Sequence, residues 1–290
     1  MSFVVVPNVS EGRDRDVVAS LVDVVSRAGT RVLDVHVDPV HNRSVLTVHG
    51  EAPSLVDAMS ALATAAAETI DLTRHEGVHP RLGSLDVCPF VIDGTIGDHV
   101  VALARETGAS VWAAAHVPVY LYAEAAERAE TRELPAIRAG GLARLAQRSA
   151  RDLPPDFGEG TIDPRRGVVC VGARGVLLAF NVWLRTDGDT ARAVARAARA
   201  ALAEAGVRAL GLEMGAGNAQ VSMNLTRPEA AGINRAFATV ASLARDAGAE
   251  VTATEIVGLP PERFMPDPDA EAARLLIEPG RSLERALAGG

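Results

Sequence analysis

Apolar positions along the chain alternate between a period of two and a period near 3.6, and the same order of periods occurs twice. "FVVVPNV" reads as a strand, after which Val17, Val18, Leu21, Val24, Val25 and Ala28 recur at helical spacing. "RVLDVHV" and "SVLTVHG" read as strands separated by the turn-like "DPVHNR". Leu55, Val56, Met59, Leu62, Ala66 and Ile70 then form one helical stripe, and "LDVCPFVI" closes the set. The second half repeats this order. "GVLLAFNVWL" is a strand, and a helix carries Ala191, Val194, Ala195, Ala198 and Leu202. "VRALGLEM" and "AQVSMNL" flank the Gly-rich "GAGN". A helix with Ile233, Phe237, Val240, Ala241 and Ala244 leads into "EVTATEIVGL".

The pattern predicts an α+β fold of two ferredoxin-like (β-α-β-β-α-β) subdomains, residues 1–166 and 167–290, with helices on one face of each antiparallel sheet. A cleft between two such subdomains is an expected place for substrate. From Gly94 to about Arg166 the chain carries further helices, a strand "VPVYLYA" and the breaks "AGG" and "LPPDFGEG", read as elaboration of the first subdomain plus a linker.

Composition narrows the function. The chain has 290 residues, 48% of them hydrophobic but only 3% aromatic, so Ala, Val and Leu must fill the core. A net charge of −8 argues against nucleic acid or an anionic membrane as a general partner. All 29 basic residues are arginine. Without lysine there is no Schiff base with pyridoxal phosphate and no standard P-loop. Arginine instead favours fork-like recognition of carboxylates. Cys88 and Cys170 sit in apolar runs and read as buried thiols in a reducing cytosol. No run approaches the ~20 apolar residues of a membrane span, so a cytoplasmic protein is expected.

Candidate chemistry concentrates in loops. "LTRHEGVHPRLG" contains a literal H-E-x-x-H, His75 to His79, the pattern of a zinc hydrolase. That chemistry needs both histidines on one face of a rigid helix. Gly77 lies between them, and Pro80 drives His79 toward extended geometry, so the segment predicts a loop and no metal site. In "VPNVSEGRD", Asn8, Ser10 and Glu11 crowd a strand end ahead of a helix. Either Ser10 or Asp14 caps that helix, or the polar strand end faces a site. "DPVHNRS" is a turn by composition, with Arg43 a candidate carboxylate fork. "PRRGVVCVGAR" and "GLEMGAGNAQVSMN" combine glycines with Arg165, Arg166 and Arg174, which suits turns and also close approach of backbone to a ligand.

Taken together, "VPNVSEGRD", "LDVHVDPVHNRSVLTVHG", "IDLTRHEGVHPRLGSLDVCPF", "VPVYLYAEAA", "LPAIRAGG", "PDFG", "GARGVLLAFNVWL", "NAQVSMNL" and "EIVGLPP" resemble the formiminotransferase family. The resemblance runs from Pro7 to Pro261 and finds no counterpart for the cyclodeaminase domain fused to some relatives. It implies transfer of a formimidoyl group from N-formimidoyl-L-glutamate to N5 of tetrahydrofolate, the co-substrate, by a homodimer working on small molecules. It also implies that the histidine just before the proline, His79, is catalytic, with no metal. Asp38 and Arg43 would join it, and Asn8 and Arg81 would bind the donor. Folate would lie along residues 162–171 and 211–220, touching Arg165, Arg166, Gly167, Gly215, Gly217, Asn218 and Gln220. The chain departs from animal relatives in having Arg165-Arg166-Gly167 for Ser-Trp-Gly, Trp183 for a second asparagine after Asn181, and His36 for Asp. Competing readings keep the scaffold with another donor, formimidoylglycine or 5-formyltetrahydrofolate, or make the chain a folate-binding paralogue without turnover.

Overall fold

A computed structural model describes residues 2–289. The chain divides into two compact units, Met1–Gly175 and Val176–Gly290.

In the first unit, β1 (Ser2–Val5) and β2 (Asn8–Val9) are two pieces of one strand interrupted at Val6 and Pro7. Pro7 has no N–H to give a ladder, yet its carbonyl still accepts from Leu46 N at 3.0 Å, so the break costs little pairing. Helix α1 (Arg15–Arg27) follows, then β3 (Arg31–Asp38), β4 (Arg43–Glu51), α2 (Ala52–Thr69) and β5 (Leu85–Ile92). Strand β4 lies between β3 and the β1/β2 pair, and β5 pairs with β1 and β2 on their other side, all antiparallel. Val5, Leu46, Val48 and Phe90 from these strands meet Leu21, Val25, Leu55, Met59 and Leu62 from α1 and α2 in one core.

Beyond β5 the sheet continues. Helix α3 (Asp98–Ala115) leads to β6 (Val119–Ala123), and short helices α4 (Ala129–Arg132), α5 (Leu134–Arg138) and α6 (Gly141–Ser149) precede β7 (Val169–Gly175). Strand β7 inserts between β5 and β6, parallel to both, which completes a seven-stranded sheet. The division between units therefore falls after Gly175, beyond the Arg166/Gly167 boundary read from the pattern, because Val169–Gly175 is paired into the first sheet. Parallel strands are covered on both faces. One side of β7 packs Val169 and Val171 into the helix-covered core. The other packs Cys170 with Tyr120, Ile137 and Leu145, under α5 and α6.

The second unit runs β8 (Leu178–Arg185), α7 (Gly188–Ala201), β9 (Val207–Gly215), β10 (Asn218–Leu225), α8 (Ile233–Asp246) and β11 (Glu250–Val257). Its antiparallel sheet has the order β11-β8-β10-β9. Phe180, Val182, Val221 and Met223 face Val194, Ala198, Phe237 and Val240 of the two helices. Alternate residues of the same strands, Asn181, Trp183, Gln220 and Ser222, therefore belong to the opposite face. Among the described residues, no helix is long and apolar enough to cross a membrane.

Candidate active site

Three chain segments of the first unit converge where β1/β2 ends, where β3 turns into β4, and in the loop before β5. Each is fixed by backbone needs of the others. Asp14 caps α1, accepting from Asp16 N and Val17 N at 3.0 and 3.1 Å. Ser10 is left for the loop before β5: its Oγ donates to Gly83 O at 2.7 Å and its N to Ser84 O at 2.8 Å. Of the two residues expected to cap the helix, Asp14 does so, and Ser10 instead ties the strand end to the loop before β5. Asn42, buried and in the left-handed region at φ 50°, ties the three segments together. Its Oδ1 accepts from Gly12 N at 2.9 Å, and its Nδ2 donates to Glu76 O at 2.9 Å.

The H-E-x-x-H segment is an irregular loop after a single 3₁₀ turn at Leu72–Arg74. Gly77 is needed for closeness: a Cβ there would stand 2.4 Å from His41 O. His75 Nε2 lies 3.0 Å from Asn42 O, and the Arg81 guanidinium packs against the same ring. Arg81 also donates to Asn42 O at 3.2 Å, to His41 O at 3.0 Å and to His79 O at 2.7 Å. Burial and the neighbouring Arg43 push its pKa down to about 10. His75 and Arg81 therefore hold the shape of the loop. Among the described residues no group of three His, Cys, Asp or Glu is placed to hold a metal ion.

His79 is half-buried, with Nδ1 2.8 Å from Pro80 O. A carbonyl only accepts, so Nδ1 carries the hydrogen and Nε2 carries the lone pair. The His41 ring lies 5.6 Å away, centroid to centroid. His41 is held in turn by Asp38, whose Oδ2 is 3.5 Å from His41 Nδ1 and whose Oδ1 accepts from Val40 N and His41 N at 2.8 Å. Burial, then the charges of Arg43, Arg138 and His41, hold the His79 pKa well below the ordinary histidine value. Near neutral pH the ring is a neutral base.

Arg43 reaches into this cluster from the first residue of β4, only 9% exposed. Its Nε and Nη2 donate to Asn8 Oδ1 at 3.0 and 2.5 Å, and its Nη1 to Asp86 Oδ2 at 2.6 Å. Arg138, at the end of α5, donates to the same Asp86 oxygen at 2.5 Å, and Leu82 N donates to Asp86 Oδ1 at 2.7 Å. Asp86 is fully buried. Burial opposes its charge, but Arg138 and Arg43 override that and keep its carboxyl well below the usual carboxylate range. Neither Asp86 nor Arg138 is among the residues expected from the sequence. The signal for Asp86 was a lone acid inside the apolar run "LDVCPFVI", which demands a buried cation. For Arg138 it was adjacency to Ile137, which buries completely and so anchors the arginine's backbone.

The other expected residues separate into two groups. Arg165, Arg166 and Gly167 form a turn of the first unit beside the histidine loop. Arg165 O accepts from Leu72 N and Arg166 O from Ser84 N, each at 2.9 Å. Gly167, at φ 72°, bridges to Gly83, and a Cβ on Gly167 would meet Leu82 O at 2.0 Å. Gly215, Gly217 and Asn218 make the β9–β10 hairpin turn of the second unit, where Gly215, Ala216 and Gly217 all have positive φ. Gln220 is buried on that unit's sheet. Its Nε2 donates to Glu255 Oε2 at 3.3 Å, alongside Asn181 Nδ2 at 2.9 Å.

Comparison with known proteins bears on both units. The model for the formiminotransferase domain, N-terminal subdomain, matches residues 2–174, and the formiminotransferase domain model matches residues 179–278. The chain is 40% identical over 272 residues to the glutamate formimidoyltransferase of Thermoplasma acidophilum, covering 90% of this chain and 89% of that protein. It is 36% identical over 270 residues to the enzyme of the same name from Streptococcus pyogenes, covering 90% of each. It is also 36% identical to the formimidoyltransferase-cyclodeaminase of Sus scrofa, where 90% of this chain covers 50% of the longer protein. With both subdomain models matched in order and such relatives matched nearly end to end, the chain belongs to the formiminotransferase family.

Proposed function

We propose that this chain is a glutamate formimidoyltransferase, moving the formimidoyl group of N-formimidoyl-L-glutamate to N5 of tetrahydrofolate in histidine degradation. Named relatives at 36–40% identity over nine-tenths of the chain support the reaction. The single structural observation that supports it best is His79 Nδ1 at 2.8 Å from Pro80 O, which leaves the lone pair on Nε2 of a ring whose pKa is held well below the ordinary value.

In this reading the folate N5 attacks the amidine carbon. A C–N bond forms as His79 Nε2 takes the N5 proton. The tetrahedral intermediate then collapses: the bond from carbon to the glutamate nitrogen breaks, and the imidazolium returns its proton to that nitrogen. Products are 5-formimidoyltetrahydrofolate and glutamate. A low pKa suits both halves, since the free ring starts as a base and the imidazolium is a strong acid toward a departing amine. Asp38 positions His41, which backs the His79 ring. Asn8, Arg43 and Arg81 are expected from the sequence to act on substrate; Arg43 bonds Asn8 and Asp86, Arg81 holds the His75 ring and the loop backbone, and here they organise the site.

We read each unit as ferredoxin-like, from its β-α-β-β-α-β core and the position of its first strand between the third and fourth. Donor and folate would then lie in a cleft between subdomains of a cytoplasmic homodimer. Folate would follow Arg165–Gly167 and the Gly215–Gln220 hairpin. The deciding experiment is steady-state transfer with His79→Gln. Turnover should fall by about 10²–10⁴-fold, as for a lost general acid–base group, with tetrahydrofolate still bound. Near-normal turnover would assign the proton to another group. Parallel assays with formimidoylglycine and 5-formyltetrahydrofolate test the donor.

A further inference from the structure

Arg43, Arg81 and Arg138 all bear on His79, and among the described residues Asp86 is the one carboxylate bonded to any of them. Arg43 and Arg138 share the single carboxylate of Asp86, both on Oδ2. Arg81 donates to His75 and to backbone carbonyls, none of which carries negative charge. Asp38 is occupied with two backbone amides and His41. A buried cation without a counter-charge is unfavourable, and such a site gains by admitting an anion.

The arginines are not equivalent receptors for it. Each nitrogen of Arg43 has a protein acceptor, and its side chain is 10% exposed. Arg138 differs. Its Nη2 is held by Asp86, its Nε is buried and has no hydrogen-bond partner, and its side chain keeps 19% exposure. With Nε shut off from solvent, the edge open to a ligand is Nη1 with the remaining Nη2 hydrogen, a planar fork that grips a carboxylate through both oxygens. Asp86 sets the plane of that fork, and the buried Ile137 fixes its base.

We propose that Arg138 is the receptor for the carboxylate of the group donor, an N-formimidoyl α-amino acid, with Asp86 as its positioning residue. The assignment rests on the formimidoyl-transfer reading. In such a donor the carboxylate is one carbon from the nitrogen that must leave, so a fork whose charge acts on the His79 ring suits it. The carboxylates of a folate tail lie beyond an aminobenzoyl group from N5 and do not meet this requirement. Arg43 and Arg81 then shape the pocket, and Arg138 selects what enters it.

The test uses the full-length chain, its Arg138→Gln and Arg138→Lys variants, N-formimidoyl-L-glutamate and the corresponding α-carboxamide. Calorimetric titration of donor in the absence of folate reads the site without turnover. We expect Arg138→Gln to weaken binding of the acid on the order of 10–10²-fold, the range for a charge-assisted pair, and to leave the carboxamide nearly unchanged. Arg138→Lys should fall between, because it keeps the charge and loses the fork. In kinetics the loss should appear in KM for the donor and not in KM for tetrahydrofolate. Equal losses on acid and carboxamide would reduce Arg138 to a structural role. A rise in KM for tetrahydrofolate alone would place the folate tail there, and unchanged binding of the acid would overturn the assignment outright. Absence of transfer by the wild type, with Arg138-dependent binding of the acid retained, would reject the transfer reaction and keep the receptor.

Discussion

Replacing Asp86 with asparagine tests the charge arrangement on which the pocket is built. The amide keeps the volume and an oxygen to accept from Leu82 N, now 2.7 Å from Asp86 Oδ1, so the change removes mainly the charge. Arg43 and Arg138 are then left facing each other in a buried setting. Removing one partner of a buried pair costs about 3–5 kcal/mol. For a unit of 175 residues, 1 kcal/mol shifts Tm by about 2–4 °C, so the first unit should melt about 6–20 °C lower. Differential scanning calorimetry is the suitable assay, because two units can unfold in separate transitions. The pH dependence carries a sign. The folded-state pKa of Asp86 is depressed, so its stabilisation is complete above the unfolded value of about 3.9 and disappears only as pH falls through the folded value. The gap between wild type and Asp86→Asn should therefore hold constant from pH 8 to about 4. Adding Arg138→Met should recover part of the loss by removing one unpaired cation. A Tm within about 2 °C of wild type at pH 7, or a gap that closes above pH 5, would refute the reasoning.

Protonation of His79 removes the base, and burial with Arg43 and Arg138 holds its pKa down, so the acid limb of kcat/KM should centre below about 6.5. Arg138→Gln should move that limb upward; a wild-type limb at or above the ordinary histidine value would contradict the assignment. Gly167→Ala places a methyl 2.0 Å from Leu82 O at φ 72° and should lower both Tm and kcat, whereas Gly215→Ala meets open space and should cost only ~1 kcal/mol of left-handed strain, read by thermal melts and turnover of both variants. Cys88 and Cys170 are buried, and burial pushes both thiols up, so iodoacetamide should label neither until the protein is unfolded, as mass spectrometry would show.

Much of the architecture was written in periodicity. The stripes of α1, α2, α7 and α8, and the alternating strands beside them, appear where the apolar spacing put them, because one-sided burial imposes a strict period. Strand β7 escaped for the same physical reason in reverse. "VVCVGA" is buried on both faces, so it shows a continuous apolar run with no alternation, and flanking glycines and arginines made it resemble a loop. The boundary between units moved with it. The loop character of His75–His79 was legible from Gly77 and Pro80. The pocket's charge balance was not, since Asp86 and Arg138 are 52 residues apart and meet only through β5 and a short helix on the sheet's far side. Pairings at that separation leave no local periodicity to read.

The bridge between Gly83 and Gly167 holds the Arg165–Arg166 turn against the histidine loop. Backbone carbonyls of Arg165 and Arg166 brace the histidine loop, and Arg165 Nε adds an ion pair to Asp71 Oδ2 at 3.1 Å, at the cap of the 3₁₀ turn that opens that loop. Those side chains point outward, 68% and 42% exposed. The Arg166 side chain is thus less tied to the loop than that of Arg165, which reaches Asp71. Exchanging the Arg166 side chain would change what the rim meets and leave its carbonyl on Ser84 N in place.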